Sequence, residues 1–322
     1  MNIFHYFIAL ISVFLNLITL YFIDFLSIKL RLLDLAKNKI HLKDTPKFGF
    51  FIFLNLSFFL LIFSFYNDLN YEGIHITLFI FSFLILGYFD DRNNLSVIFR
   101  FSVSSILIII FYLYYPGFLY VSQLFPYSLN LFLLVFFTLG FIHLINITDG
   151  LNGLVPSLFL YSCLYYLLKG YNEFNDLHQL LIVLSIFGIS VFFIPNLFGK
   201  CFLGNSGSYL VAIIITILYS KLYSTGVVEY SDILLIFYIP LLDGIRVTFK
   251  RIINKKNPFE GDLTHLHHII RNNKRLILIY FLIIYFPSTI NFWYENFTIY
   301  LSILSFITYI IFYKFVIRET IN

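Results

Sequence analysis

The chain has 322 residues, of which 60% are hydrophobic and 12% charged, with a mean hydropathy of +0.89. A soluble domain carries about 25% charged residues, so a water-soluble core is excluded and an all-α polytopic membrane protein is expected. The net charge of +4 can act only through its placement, and two cysteines far apart in sequence, Cys163 and Cys201, suggest neither a disulfide framework nor a zinc site.

Apolar runs of roughly 17–25 residues can cross a bilayer as helices. Eleven such runs follow one another, at about 3–26, 48–66, 73–89, 97–115, 129–147, 153–168, 177–197, 207–223, 231–249, 275–291 and 297–315. The first has no basic leader and is too long for a signal peptide, so a retained span is expected there. The sixth is the shortest and is flanked by Gly153 and Gly170. No internal repeat or linker divides the chain, and a single domain over 1–322 is expected. Nineteen of the 21 Lys and Arg residues fall in one set of alternate loops and its flanks, and only Lys169 and Lys221 fall in the other. Positive loops stay in the cytoplasm, which places the N-terminus outside and the C-terminus inside.

The chemistry-bearing residues crowd the same positive loops, at 29–47, 90–96, 146–153, 198–208 and 250–274. The first loop offers Lys39, His41, Lys43 and Lys47. They can bind an anion, or simply anchor the loop to acidic lipid. In the second, Asp90 and Asp91 arrive together where an apolar run ends. Ionisable groups at membrane depth are functional candidates. Adjacent carboxylates repel, so either one keeps a proton or a cation lies between them. The third loop holds Asn146, Thr148, Asp149 and Asn152 around two glycines, a set suited to a base or ribose. The fourth runs from Pro195-Asn196 to Gly204-Asn205-Ser206-Gly207-Ser208, where small residues opening a helix make a phosphate seat. The last carries Asp243, Arg246, Arg251, His265, His267 and His268. In a helix, His265 and His268 share a face. Their Arg and Lys neighbours suit phosphate better than zinc. A transporter would place such groups near the midplane, whereas a one-sided parts list fits metal-assisted phosphoryl transfer.

Five pieces, in order, carry a resemblance: Thr45-Pro46-Lys47-Phe48-Gly49; Gly87-Tyr88-Phe89-Asp90-Asp91; Asn146-Ile147-Thr148-Asp149-Gly150-Leu151-Asn152-Gly153-Leu154; Phe202-Leu203-Gly204-Asn205-Ser206-Gly207-Ser208; and Pro258-Phe259-Glu260-Gly261-Asp262-Leu263-Thr264-His265-Leu266-His267-His268. From about Asp34 to His268 the chain resembles the polyprenyl-phosphate N-acetylhexosamine-1-phosphate transferases. Its His-Leu-His-His form resembles the WecA-like branch rather than the MraY-like one.

The resemblance implies transfer of N-acetylhexosamine-1-phosphate from a UDP-sugar, UDP-GlcNAc or a derivative, to undecaprenyl phosphate. UMP is released and a cell-surface polysaccharide is started. It implies Mg²⁺, with Mn²⁺ as a substitute, at Asn146 and Asn205. Asp90, as the base, Asp91 and His265 are the implied catalytic residues. Asp149, Asn152 and Asn196 are implied for the nucleotide, and Lys39, Arg251, His267 and His268 for phosphate. The implied partners are the UDP-sugar, the lipid phosphate, the bilayer of the bacterial inner membrane and a second copy of the chain, with no nucleic acid. Two positions depart from the family pattern: Asn152 and Asn205 each stand where an Asp is usual. They support an alternative, a catalytically impaired homologue that binds polyprenyl phosphate or a partner enzyme.

Overall fold

The computed structural model describes residues 3–35, 43–66, 71–114, 126–257 and 263–321. Among them, eleven helices of 17 to 24 residues occupy the eleven apolar runs: α1 (Ile3–Tyr21), α3 (Gly49–Tyr66), α4 (Tyr71–Asn93), α5 (Val97–Tyr114), α6 (Tyr127–Thr148), α7 (Leu154–Gly170), α8 (Asp176–Leu197), α9 (Gly204–Ser224), α10 (Tyr230–Ile253), α12 (Lys274–Trp293) and α13 (Thr298–Ile321). Two short helices, α2 (Ile23–Leu30) and α11 (Leu266–Ile270), and a two-stranded antiparallel pair, β1 (Leu33–Asp34) with β2 (Thr45–Pro46), complete the order. The protein is a multi-pass membrane protein. Among the described residues, eight helices are long and apolar enough to cross a bilayer, or up to nine if α1 and α2 form one broken span. Of the other two expected spans, α7 has 17 residues and α10 carries Asp232, Asp243, Arg246, Lys250 and Arg251.

The first expected span, at about 3–26, is bent. The helix breaks at Phe22, and α2 leaves α1 at 74°. No Pro or Gly stands at the bend. Ile23 and Ser27 are buried on α2, so packing rather than backbone chemistry sets the turn.

The chain forms two compact units, Met1–Thr225 and Gly226–Asn322. In the first, α9 is the central helix, packed by α3, α4, α6 and α7. Its residues Leu210 to Ile215 are fully buried. A helix that is apolar all round is stable only when other apolar elements surround it. The close approach of its N-terminus to α4 depends on Gly87, where a Cβ would lie 2.3 Å from the Ser206 Cα. In the second unit, α10, α12 and α13 pack on one another.

Candidate active site

Four connections of the first unit meet at one end of the bundle. The segment after β2 pairs with the approach to α9: Phe48 N–H donates to the Phe202 carbonyl at 2.8 Å and Gly49 N–H to the Leu203 carbonyl at 3.1 Å. Asn196, from the end of α8, accepts from Gly153 N–H at 2.7 Å and donates to the Cys201 carbonyl at 2.9 Å. It is buried, so its amide fastens two loops together. The peptide contacts leave Asn152 exposed and Asn146 and Asp149 half-buried.

Asp91 sits on the N-terminus of α9. Its Oδ1 accepts from Asn205 N–H at 2.8 Å, and its Oδ2 accepts from Ser206 N–H at 2.9 Å and from the Ser206 hydroxyl. Lys47 Nζ lies 3.1 Å from Oδ1 and also donates to the Asp91 carbonyl at 3.1 Å. The phosphate seat expected at this helix start is therefore filled by a carboxylate of the chain itself, which the helix dipole favours equally. Gly204 makes room for it. Its φ is +74°, and a Cβ there would lie 2.9 Å from Asp91 Oδ2.

Asp90 faces a different set. Its Oδ1 accepts from Leu95 N–H at 2.9 Å, and its Oδ2 accepts from Tyr209 OH at 2.6 Å and pairs with Arg100 Nη1 at 3.1 Å. Both acids of the pair are thus matched by separate cations, Arg100 and Lys47. Neither Arg100 nor Tyr209 was singled out as a site residue in the sequence. The available signals were spacings: Arg100 follows Asp90 by ten residues on the next helix, and Tyr209 lies one turn beyond Asn205, on the same face of α9.

Asp149 has no such partner among the described residues. Burial, and then the Asp91 carboxylate, push its carboxyl well above the usual range. Asn146, one turn earlier on α6, donates from Nδ2 to Asn205 Oδ1 at 2.8 Å and to Ser208 Oγ at 3.0 Å. The structure therefore brings the two expected metal positions, Asn146 and Asn205, into direct contact. Asp149 stands near them as a carboxyl without a cation among the described residues. Burial pushes the Cys201 thiol up to about 12, so it is no nucleophile.

The second unit holds its own cluster. Buried Asp243 is the hub. Its Oδ1 accepts from Arg246 Nη2 at 2.8 Å and Tyr309 OH at 3.0 Å, and its Oδ2 from His265 Nδ1 at 2.9 Å and Leu266 N–H at 3.1 Å. Arg246 also donates to the Thr264 carbonyl at 2.7 Å, latching the approach to α11. The expectation that His265 and His268 share a helix face is corrected. His265 is the extended residue before α11, because its ring is drawn to Asp243, and it stacks on His267 at 5.3 Å rather than on His268. Burial, and next the neighbouring His268, hold His267 down at about 3, so it is neutral at physiological pH. Donor atoms of Asp243, His265 and His267 lie within 4.8 Å of one another, so the group could hold a metal ion. Arg246 already neutralises Asp243, however, and would repel a second cation there. Arg251 is buried and donates from Nε to the Asn257 carbonyl at 2.8 Å, tying down the end of α10. Lys39, and the segment 258–262 ahead of the histidines, lie outside the described residues.

Residues 73–222, which run from α4 to α9 and include both acids, Asn146, Asp149 and Asn205, match the profile of Glycosyl transferase family 4. The chain is similar to a Thermotoga maritima protein named undecaprenyl-phosphate alpha-N-acetylglucosaminyl 1-phosphate transferase, with 26% identity over 232 residues, 72% of this chain and 70% of the relative. A Bacillus subtilis protein named probable undecaprenyl-phosphate N-acetylglucosaminyl 1-phosphate transferase is 26% identical over 313 residues, 92% of this chain and 86% of its own length. An Escherichia coli K12 relative with the same name as the Thermotoga protein is 26% identical over 205 residues, 58% of this chain, and the match spans 55% of the relative's length. Within the matched residues 73–222, every contact of Asp90, Asn146 and Asn205 described above is internal, and among the described residues Lys47 is the one partner of Asp91 from outside that stretch.

Proposed function

We propose that the protein transfers N-acetylhexosamine-1-phosphate from a UDP-sugar to a polyprenyl phosphate, in the plasma membrane of a bacterium and with its positive loops in the cytoplasm. The observation that carries this reading is the balance of charge at the end of α9. Asp90 and Asp91 are each paired to a cation, whereas Asp149 has no such cation among the described residues. A carboxyl in that position either keeps a proton or takes a cation. The oxygen donors beside it suit Mg²⁺: Asp149, Asn205 Oδ1, and Asn146 Oδ1, whose amide nitrogen is the part already engaged. These three residues would hold the ion. The chemistry a divalent cation supplies at such a site is neutralisation of a diphosphate and of the charge that develops on the leaving group.

In the reaction, an oxygen of the lipid phosphate forms a bond to the β-phosphorus of the UDP-sugar. The bond from that phosphorus to the bridging oxygen breaks, and UMP leaves with the electron pair. Asp91 holds the α9 N-terminus rigid, so that Asn205 and Ser208 keep their places against Asn146. Exposed Asn152 is available to the nucleotide, whereas Asn196 serves by fixing the loop that carries it. In the second unit, His265, His267 and His268 are assigned phosphate contacts, with Asp243 and Arg246 orienting them. The sugar is UDP-GlcNAc or a derivative. A homodimer is a separate proposal, which the mass of the detergent-solubilised particle tests.

The competing reading, a catalytically impaired homologue, draws on Asn205, which brings no charge to the proposed metal. Purified protein with UDP-GlcNAc and undecaprenyl phosphate separates the two. UMP formation that needs both the lipid and a divalent cation supports the transferase. Binding of the lipid phosphate without UMP formation supports the impaired homologue.

A further inference from the structure

The acceptor's own chemistry sharpens the role of Asp90. A phosphate monoester loses its second proton near pH 6, so at cytoplasmic pH a polyprenyl phosphate is already largely the dianionic nucleophile. It has little need of a base. Asp90 is also poorly placed to be one. It is 1% exposed, and its two oxygens accept from Leu95 N–H, Tyr209 OH and Arg100 Nη1. Three donors, one of them a guanidinium, thus already occupy its two oxygens.

Arg100 is the opposite case. Its side chain is 27% exposed, and only Nη1 is engaged, with Asp90 Oδ2 at 3.1 Å and Tyr209 OH at 3.4 Å. Its Nε and Nη2 have no hydrogen-bond partner among the described residues. A guanidinium held from one edge presents its remaining donors as a preset fork, the geometry that binds phosphate oxygens in pairs. The short connection from α4 to α5 places that fork beside the acid pair, where the apolar run of α4 ends.

We infer that Arg100 is the receptor for the phosphate of the acceptor lipid, and that Asp90 and Tyr209 are positioning residues which hold its guanidinium with Nε and Nη2 turned to that phosphate. The inference rests on the transferase reading for the identity of the acceptor, but not for the binding event itself. Asp90 acts through Arg100: it holds the guanidinium and offsets its charge until the dianion arrives.

The test uses the full-length protein in nanodiscs, with farnesyl phosphate as a soluble probe for equilibrium binding and undecaprenyl phosphate for turnover. Arg100→Gln is expected to weaken farnesyl phosphate binding by roughly 10- to 100-fold, the range for one charged hydrogen-bonding partner. The KM for the lipid should rise in proportion while the KM for the UDP-sugar stays within about twofold. Arg100→Lys, which keeps the charge and loses the fork, should fall between the two. Tyr209→Phe should shift lipid binding several-fold without changing the UDP-sugar KM. Unchanged farnesyl phosphate binding in a folded Arg100→Gln protein would overturn the inference, as would a selective effect on the UDP-sugar. If Arg100→Gln fails to fold, wild-type lipid affinity in Arg100→Lys together with Tyr209→Phe overturns it. Absence of turnover with every UDP-sugar, accompanied by the Arg100-dependent binding loss, would instead remove the transferase reading and leave the receptor in place.

Discussion

Removing the Asp91 carboxylate should damage the fold before it damages the chemistry. The group is buried and collects two backbone amides, one hydroxyl and the Lys47 ammonium, itself 12% exposed. Loss of an N-terminal helix cap costs about 1 kcal/mol. Loss of a partly buried charge from a helix N-terminus costs up to about 2 kcal/mol. Leaving one partner of a buried ion pair alone costs about 3–5 kcal/mol. These effects overlap, because the same carboxylate supplies all three. Lys47 also retains its bond to the Asp91 carbonyl. Asp91→Ala is therefore expected to destabilise by about 3–4 kcal/mol. Asp91→Asn keeps one acceptor but points an amide N–H₂ at other donors, for about 2–3 kcal/mol. Cys163 and Cys201 are both free and buried, and Cys201 lies three residues before α9. A thiol-reactive dye in detergent therefore reports opening at this end of the bundle, and a loss of ~3 kcal/mol corresponds to a melting point lower by ~6–12 °C. Adding Lys47→Gln to Asp91→Asn should recover part of the loss, since the stranded charge is gone. An Asp91→Asn protein that melts like the wild type yet has lost turnover would refute the anchoring role and return Asp91 to the chemistry.

Asn205→Asp places a carboxylate where Asn146 already donates. A unit charge ~4 Å from a cation at an effective dielectric of ~20 is worth about 4 kcal/mol per unit of cation charge before desolvation, which offsets much of it. The expected net outcome is a Mg²⁺ requirement lowered by roughly 10- to 100-fold with the same product; a titration of turnover against Mg²⁺ showing no change would remove position 205 from the metal. His267 has a folded pKa of about 3 against an ordinary 6.5, so its stabilising contribution is complete above pH 6.5 and is lost as the pH falls from there towards 3. At pH 5 the loss is about 2 kcal/mol, which His267→Gln should remove from the pH dependence of melting; identical pH profiles would show that the histidine is not held neutral. A reporter fused after Lys256 should be cytoplasmic and one after Asn175 periplasmic, and finding both on one side would break the alternation of eleven spans.

The helices were legible because each is a long apolar run, and α3 to α6 begin and end within four residues of the expected bounds. The sequence singled out candidate residues by type and loop. Their partners were not legible. Asp91 meets Ser206 across 115 positions of chain, and Asp90 meets Tyr209 across 119. No local pattern encodes such pairings. They arise because Gly87 and Gly204 let α4 and α9 approach closely enough for the acids to reach the helix start. The glycine-rich run before Tyr209 reads as a phosphate seat, but a carboxylate of the chain occupies the amides of Asn205 and Ser206 instead. The bend at Phe22 was hidden for a related reason: it is set by what Ile23 and Ser27 pack against, not by a helix breaker.

The transfer reaction itself is tested most directly with membranes containing the protein, undecaprenyl phosphate, Mg²⁺ and a panel of UDP-sugars radiolabelled in the sugar. Label should pass into the butanol-extractable lipid from one UDP-N-acetylhexosamine, one UMP should appear for each sugar moved, and chelation of the metal should stop both. Absence of lipid-bound label with every UDP-sugar at any Mg²⁺ concentration, from protein that still binds the lipid phosphate, would contradict it.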